Sequence, residues 1–187
     1  MEDVVKTITD KISSYNIFNN LFPGVVFCST VNKITRFNLV ADSLLEQLFV
    51  WYFIGMIISR IGSIYVEDRL KKLKIKNKPY LVFADYTQYS AAAEARPFIA
   101  TLSETNNIYR TVIALLTSVI IMYLYDTFIF DWIEQVIPRG NQMMPLIIGV
   151  WMIFLFIKSY RKQTDYIRKQ VEKYANEQDK INRQERS

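Results

Sequence analysis

The sequence offers few of the side chains that enzymes use for chemistry. It contains no histidine and a single cysteine, Cys28. These counts exclude a Ser-His-Asp triad, a Cys-His pair, His-based zinc sites and cysteine-cluster metal sites. No GxxxxGKS/T or GxGxxG phosphate-binding loop is present. Tyr, Lys, Asp and Glu can do acid–base chemistry, but no spacing brings such groups together in a defined way. We therefore expect no enzyme activity, no cofactor and no metal.

Four charged residues lie at or near the ends of apolar segments, namely Glu46, Arg60, Arg110 and Asp126. Charges at such positions are costly unless they are paired or line a polar cavity. These residues are either ordinary membrane-surface anchors or part of a polar path through an oligomer. Residue types alone leave both interpretations open.

Two segments are apolar and long enough to cross a bilayer, whose core needs about 20 mostly apolar helical residues. Residues 140–157 carry no charge, and residues 111–130 carry only Asp126. Two such segments in so short a chain would leave a soluble protein little polar surface. We therefore predict that both segments span a membrane.

Two earlier segments are less apolar. Residues 47–64 contain Arg60, which can snorkel to the headgroups, and residues 12–32 lack charge but carry many Asn, Ser and Thr. The latter can form a kinked span or an interfacial segment. We predict an all-α integral membrane protein with four transmembrane helices, paired over 16–65 and 110–157. The alternatives are three spans, or two with an interfacial amino-terminal half.

The positive charges indicate an orientation. With four spans, Lys33, Arg36 and Arg139 lie outside, and the other 20 of the 23 Lys and Arg lie inside. Because cytoplasmic loops are enriched in Lys and Arg, we predict that both termini are cytoplasmic. The net charge of +5 then reflects membrane topology, and no direct nucleic-acid contact is expected.

The predicted cytoplasmic parts are a short amino-terminal segment and a loop. Residues 1–15 have apolar residues at helical spacing and are typical of an amphipathic helix, although a polar terminus fits almost as well. Residues 66–109 form a basic, aromatic-rich loop, in which 91–96 should be helical up to Pro97. Either of two hydroxyl residues, Ser103 or Thr105, is then expected to cap the third span.

A basic run of five lysines opens this loop. Its members are Lys71, Lys72, Lys74, Lys76 and Lys78. Basic residues near a membrane surface attract anionic headgroups by about 1 kcal/mol each. We expect this role, with an acidic partner or nucleic acid as the alternative.

The carboxy-terminal tail, residues 158–187, continues a heptad pattern out of the last span. The seam residues, spaced alternately by three and four, are Ile157, Tyr160, Thr164, Ile167, Val171, Tyr174, Gln178 and Ile181. This spacing predicts a long helix with one apolar seam. The seam can serve self-association, packing on the chain's own loop, or docking of another protein.

A second packing motif lies in the second apolar segment. Gly55, Ser59 and Ser63 repeat every four residues, and small residues at this spacing let helices approach closely. Small residues are also common in membrane helices generally, so the motif is a helix-packing hypothesis.

Two stretches resemble a known family. ISRIGSIYVEDRLKKLK (58–74) and LSETNNIYRT (102–111) are similar to parts of small four-span bacterial membrane proteins from two-gene anti-phage defence systems, such as the membrane subunit of the Kiwa system. The resemblance implies an oligomeric inner-membrane component that registers phage attack and works with a soluble, DNA-engaging partner. The matching stretches contain Arg60, Glu67, Asn107 and Arg110, where a hinge and a binding site are equally plausible.

The leading hypothesis is a non-enzymatic oligomeric sensor or scaffold of the bacterial inner membrane that engages a cytoplasmic partner. The alternative is a channel or membrane-disrupting effector. Its polar lining would come from the first span, from Asn19, Asn20, Ser29, Thr30 and Asn32. A small-solute transporter subunit is a third hypothesis.

Overall fold

The structure is a computed structural model that describes residues 17–184, with the side chains of Phe18, Glu177 and 179–184 outside that description. The predicted amphipathic helix at 1–15 lies outside the described residues. The seam residue Ile181 lies within a described helix, but its side chain is not covered.

The described chain is mostly helical. The α-helices, in chain order, are α1 (Phe22–Ile34), α2 (Leu44–Ile61), α3 (Glu67–Lys72), α4 (Tyr86–Ala95), α5 (Phe98–Leu124), α6 (Phe130–Val136) and α7 (Met144–Gln184). Three π-helical turns adjoin them, which we label π1 (Ile17–Leu21), π2 (Gly62–Val66) and π3 (Tyr125–Ile129), and a 3-10 turn, Gly140–Met143, precedes α7. The all-α prediction needs one amendment, a small antiparallel hairpin of β1 (Lys74–Ile75) and β2 (Lys78–Pro79).

Three continuous helical stretches are long and apolar enough to cross a membrane. They are Leu44–Lys72, Phe98–Val136 and Gly140–Asn176. The first helical stretch, from π1 through α1, is not among them because it is richer in polar side chains. The prediction of a membrane protein is thus supported for three spans.

Helix α1 packs against α2 and α5, and α2 also contacts α5 and α7. Side-chain pairs fix the directions of these helices. Asn19 hydrogen-bonds to Ser59 at one level, whereas Arg36 pairs with Asp126 at the opposite end. Successive long helices therefore run in opposite directions. We call the end of the helix bundle that carries the hairpin and the C-terminal half of α7 the tail end.

Local sequence accounts for several helix boundaries. Ser43 caps α2 in a capping box with Glu46, each side chain accepting a hydrogen bond from the other residue's backbone N–H. Asp85 caps α4 by accepting from the Thr87 N–H, and this hydrogen bond holds the pKa of the Asp85 carboxyl below its ordinary value. Pro97 separates α4 from α5 because a proline disfavours helical geometry at the residue before it.

The next helix departs from expectation. Helix α5 begins directly after Pro97, inside the segment expected to be loop, so Ser103 and Thr105 lie within the helix and the prediction that one of them caps it is wrong. Proline favours the first turn of a helix, and no residue between Pro97 and Ser103 interrupts the helix.

The carboxy-terminal prediction is confirmed in its main feature. Helix α7 is a single helix of 41 residues that continues without a break from the last apolar segment into the tail. At about 1.5 Å per residue it extends about 60 Å, twice the hydrocarbon thickness of a bilayer. Part of α7 therefore lies beyond any membrane that its apolar half crosses.

Candidate functional site

A buried hydrogen-bonded triad joins the first, second and third long helices. The Asn19 amide nitrogen donates to Ser59 Oγ at 2.8 Å. Thr111 Oγ1 donates to Asn19 Oδ1, also at 2.8 Å. All three residues are buried, with Ser59 and Thr111 fully inaccessible. Because unpaired polar groups in such a place are costly, this Asn19 triad fixes the relative positions of three helices.

A close crossing of backbones brings Asn19 into reach. A methyl group at Gly55 would overlap the backbone carbonyl of Asn20, and one at Gly24 would overlap that of Trp51. Only glycine permits this approach. The predicted packing residues Gly55 and Ser59 thus both face the first helix within one chain, Ser59 through its hydrogen bond to Asn19.

At the tail end, one carboxylate forms ion pairs with three basic side chains. Glu67, at the start of α3, is 8% exposed. Its Oε1 accepts from Lys71 at 2.6 Å and from Lys162 at 3.1 Å. Its Oε2 accepts from Arg110 Nη1. The four side chains form the Glu67 cluster, which ties the end of the second long helix to α5 and α7.

Lys162 also donates hydrogen bonds to the adjoining turn, π2. Its Nζ donates to the backbone carbonyl of Ser63 at 2.9 Å and to Ser63 Oγ at 3.1 Å. The predicted small residue Ser63 therefore serves as an acceptor for the tail helix. One lysine thus attaches α7 to both π2 and Glu67.

At the opposite end, Arg36 forms a second ionic contact. Its Nε lies 2.7 Å from Asp126 Oδ1, and its two terminal nitrogens bind the Asp131 carboxylate at 2.7 and 3.2 Å. The guanidinium also lies over the Phe130 ring at 4.3 Å. This Arg36 clamp joins the segment after α1 to π3 and α6.

Each of the three polar sites coincides with one of the π turns. Asn19 lies in π1 and Asp126 lies in π3. Ser63 lies in π2, and Glu67 is the first residue after that turn. A π turn widens the helix and alters its backbone pairing, and such turns are frequent at functional sites. The signal available in the sequence was polar residues within apolar segments, but it did not identify their partners.

The predicted boundary charges have different roles. Arg110 and Asp126 form the ion pairs described above, whereas Glu46 completes the capping box of α2. Arg60 is half-buried in the last turn of α2. Asp126 lies at the far end from Arg110, and a polar path through an oligomer stays a prediction.

The basic run forms the hairpin and its approach. All five lysines are exposed. Lys71 lies 4.5 Å from the centroid of the Phe83 ring, while Lys76 and Asn77 adopt positive φ angles of 50° and 62°. Two successive residues with positive φ are typical of a tight hairpin turn. The remaining lysines are presented outward at the tail end.

The loop helix α4 packs on the tail, but not on the heptad seam. The Tyr86 and Tyr166 rings stack at 5.1 Å, and Ser90 hydrogen-bonds to Gln170. Glu94 pairs with Lys173 at 2.8 Å. Meanwhile the apolar seam residues from Ile157 to Tyr174 are all more than half exposed. The chain therefore packs its loop on one face of α7 and leaves the seam uncovered.

Within residues 17–184, no group of three or more His, Cys, Asp or Glu side chains could hold a metal ion. The side chains of the polar sites pair mainly with one another. Their chemistry is structural pairing across helices, and Cys28 is buried, so we assign it a packing role.

These features define a class, a helical protein with three membrane-spanning-length helices held together by buried polar pairs and carrying a long helical tail. Comparison with family models, curated proteins and solved structures finds no match to the chain.

Proposed function

We propose that the chain is a non-enzymatic sensor or scaffold of a bacterial inner membrane that relays the state of its membrane helices to a cytoplasmic partner. In this proposal the stretch from π1 through α1 is a fourth span, and both termini are cytoplasmic. Two observations support the fourth span, namely the packing of α1 along α2 and α5 and the burial of Asn19 and Asn20. The tail end is then the cytoplasmic end.

The Glu67 cluster carries the proposal. A single buried carboxylate binds Arg110 of α5 and Lys162 of α7. Breaking a buried ion pair by removing one partner typically costs about 3–5 kcal/mol. A displacement of α5 within the membrane would therefore have to carry α7 with it or break this cluster. Such a linkage suits a protein that transmits a change from its spans to its tail.

The role in anti-phage defence rests on the resemblance alone. The two matching stretches contain Glu67 and Arg110, which bind each other in the structure. The proposed soluble, DNA-engaging partner would meet the lysine hairpin and α7 tail, because these are the exposed cytoplasmic surfaces of the proposed orientation. The basic lysines would additionally contact anionic headgroups.

A channel is the alternative, and the polar residues of the first helix bear on it. Asn19 and Asn20 are buried within the chain, and both polar atoms of the Asn19 side chain are hydrogen-bonded in the triad. Ser29 and Asn32 line a separate cavity of about 410 Å³ near the opposite end. These polar groups form two separate sets in one chain, so a pore would require several chains. A transporter has no specific observation in its favour.

The test uses Glu67→Gln, which keeps the size of the side chain and removes its charge. The full chain is expressed with the product of the adjacent gene, alone and together, and cells are challenged with a phage panel. We expect protection only with both proteins, and its loss in Glu67→Gln at unchanged membrane abundance. Glu94→Gln is the matched control, because Glu94 forms its ion pair with Lys173 at the surface, with 75% of its side chain exposed.

Three outcomes decide the proposal. Full protection by Glu67→Gln would refute the relay through the cluster. Depolarisation of membranes by this chain alone, measured with a potential-sensitive dye, would favour the channel. Absence of protection by the wild-type pair against every phage would overturn the defence role.

A further inference from the structure

The exposed seam of α7 continues into its apolar half without a change of register. Counting back from Ile157 in steps of four and three reaches Ile153, Val150, Leu146 and Met143. These four side chains are 61%, 47%, 64% and 55% exposed. The same stripe therefore runs from Met143 to Tyr174, a distance of about 47 Å along the helix.

The described part of the chain leaves this stripe largely uncovered, because α4 lies on the face that presents Tyr166, Gln170 and Lys173. At Ile153, Ile157 and Tyr160 the stripe borders an open cavity of about 580 Å³ that Phe53 of α2 also lines. Beside Val150, Gly149 has no atom within 4 Å of the position that a methyl group would occupy. A small residue next to a seam lets a second helix approach closely. The stripe thus has both the period and the local space for a helical partner.

We propose that the occupant of this stripe is the same helix of a second copy of the chain, aligned in parallel, so that one interface runs through the membrane and into the tail. A spacing of 3.5 residues is the period at which two like helices supercoil. Copies inserted in one membrane with one topology necessarily present α7 in parallel. The parallel arrangement rests on the proposed membrane orientation.

The flanking residues favour the parallel arrangement over the antiparallel one. In a parallel pair, the residue before one seam position faces the residue after the following seam position of the partner helix. Phe156 would then face Arg161, and Gln163 would face Arg168. No like charges meet in this alignment. An antiparallel pair would instead bring the arginines of the two copies to the same side.

The polar seam residue Thr164 is exposed and would meet its own copy in the parallel register. A polar residue at one seam position costs stability but specifies alignment. A separate protein would have to match a pattern that extends through both the apolar and the charged halves of α7. A second copy supplies that pattern without further assumption.

The test is disulfide cross-linking of single-cysteine variants in native membranes, in a Cys28→Ser background. Val171→Cys in the tail and Ile153→Cys in the apolar half occupy seam positions. Glu172→Cys and Ile148→Cys are their controls, since both positions are exposed but lie off the seam. We expect on the order of tenfold more cross-linked dimer for each seam variant than for its control, because seam residues face each other across the pair.

Only monomer from Val171→Cys and Ile153→Cys would overturn the proposal, as would equal cross-linking of seam and control positions. Cross-linking at Val171→Cys without Ile153→Cys would refute a continuous interface. The result is separable from the relay function, because Glu67→Gln in the Val171→Cys chain should leave the cross-linking pattern unchanged whether or not protection is lost.

Discussion

The Asn19 triad gives the sharpest test of how the helices are held together. Replacing Thr111 by Val keeps the side chain's shape and removes its hydroxyl. The variant loses the 2.8 Å hydrogen bond to Asn19 Oδ1 in a fully buried position. Thr117→Val is a matched control on the same helix. Thr117 also donates to the carbonyl four residues earlier, at 2.8 Å, but it is exposed.

The expected cost follows from the contacts. Thr111 Oγ1 also lies 2.8 Å from the Asn107 carbonyl, so its single proton is shared between that carbonyl and Asn19 Oδ1. The helix backbone still pairs with the Asn107 carbonyl in the variant. The loss is therefore confined to the bond between helices and to the acceptor it leaves unpaired on Asn19. Measured hydrogen bonds between membrane helices average about 0.6 kcal/mol and reach about 1.7 kcal/mol. Leaving a buried acceptor unpaired costs about 1–3 kcal/mol, so we expect Thr111→Val to lose about 1–2 kcal/mol.

The assay is reversible unfolding of the purified full chain in mixed micelles, titrated with SDS and followed by tryptophan fluorescence. Thr117→Val should stay within about 0.5 kcal/mol of the wild type, as exposed substitutions usually do. A double-mutant cycle with Asn19→Ala should show that the two losses are not additive. Equal stability of Thr111→Val and Thr117→Val, or full additivity with Asn19→Ala, would refute the triad as a stabilising contact.

Two further predictions concern the crossing and the clamp. Gly55→Ala should destabilise the chain by about 1–3 kcal/mol in the same titration, because its methyl group overlaps the Asn20 carbonyl. Gly149→Ala, with open space around it, should be neutral or stabilising by up to about 1 kcal/mol; equal losses would contradict the crossing. Asp126→Asn should lower the Tm more than Asp131→Asn, since the Asp126 side chain is 12% exposed and that of Asp131 is 65% exposed. The Asp131→Asn loss should vanish in high salt, and a larger effect of Asp131→Asn would argue against the clamp geometry.

The long apolar helices and the continuous tail could be predicted because hydropathy and periodicity are properties of neighbouring residues. The packing role of Gly55 and Ser59 was also visible from their spacing, although their partners were not. Asn19 was predicted only as a polar residue of a candidate span and as part of a channel lining, since its partners lie 40 and 92 positions away. Spacing along the chain carries no information about such distant pairs.

The Glu67 cluster was missed for a related reason. Arg110 was singled out as a boundary charge, and Glu67 only as a member of a matching stretch. Lys162 belongs to a tail with many other basic residues, so nothing local marks it as the one that turns inward. The start of α5 was misplaced because two hydroxyl residues near the apolar segment resembled caps, whereas Pro97 had already begun the helix.

The π turns have a consequence for how this chain tolerates changes of length. Each behaves like one residue inserted into an α-helix, and one residue corresponds to a rotation of about 100° around the helix axis. Loss of a single residue from π2 would restore ordinary helical pairing while turning Glu67 away from Arg110 and Lys162. The polar contacts between helices therefore depend on residue count as strictly as on residue identity, and a one-residue deletion at π2 would be more damaging than most substitutions there.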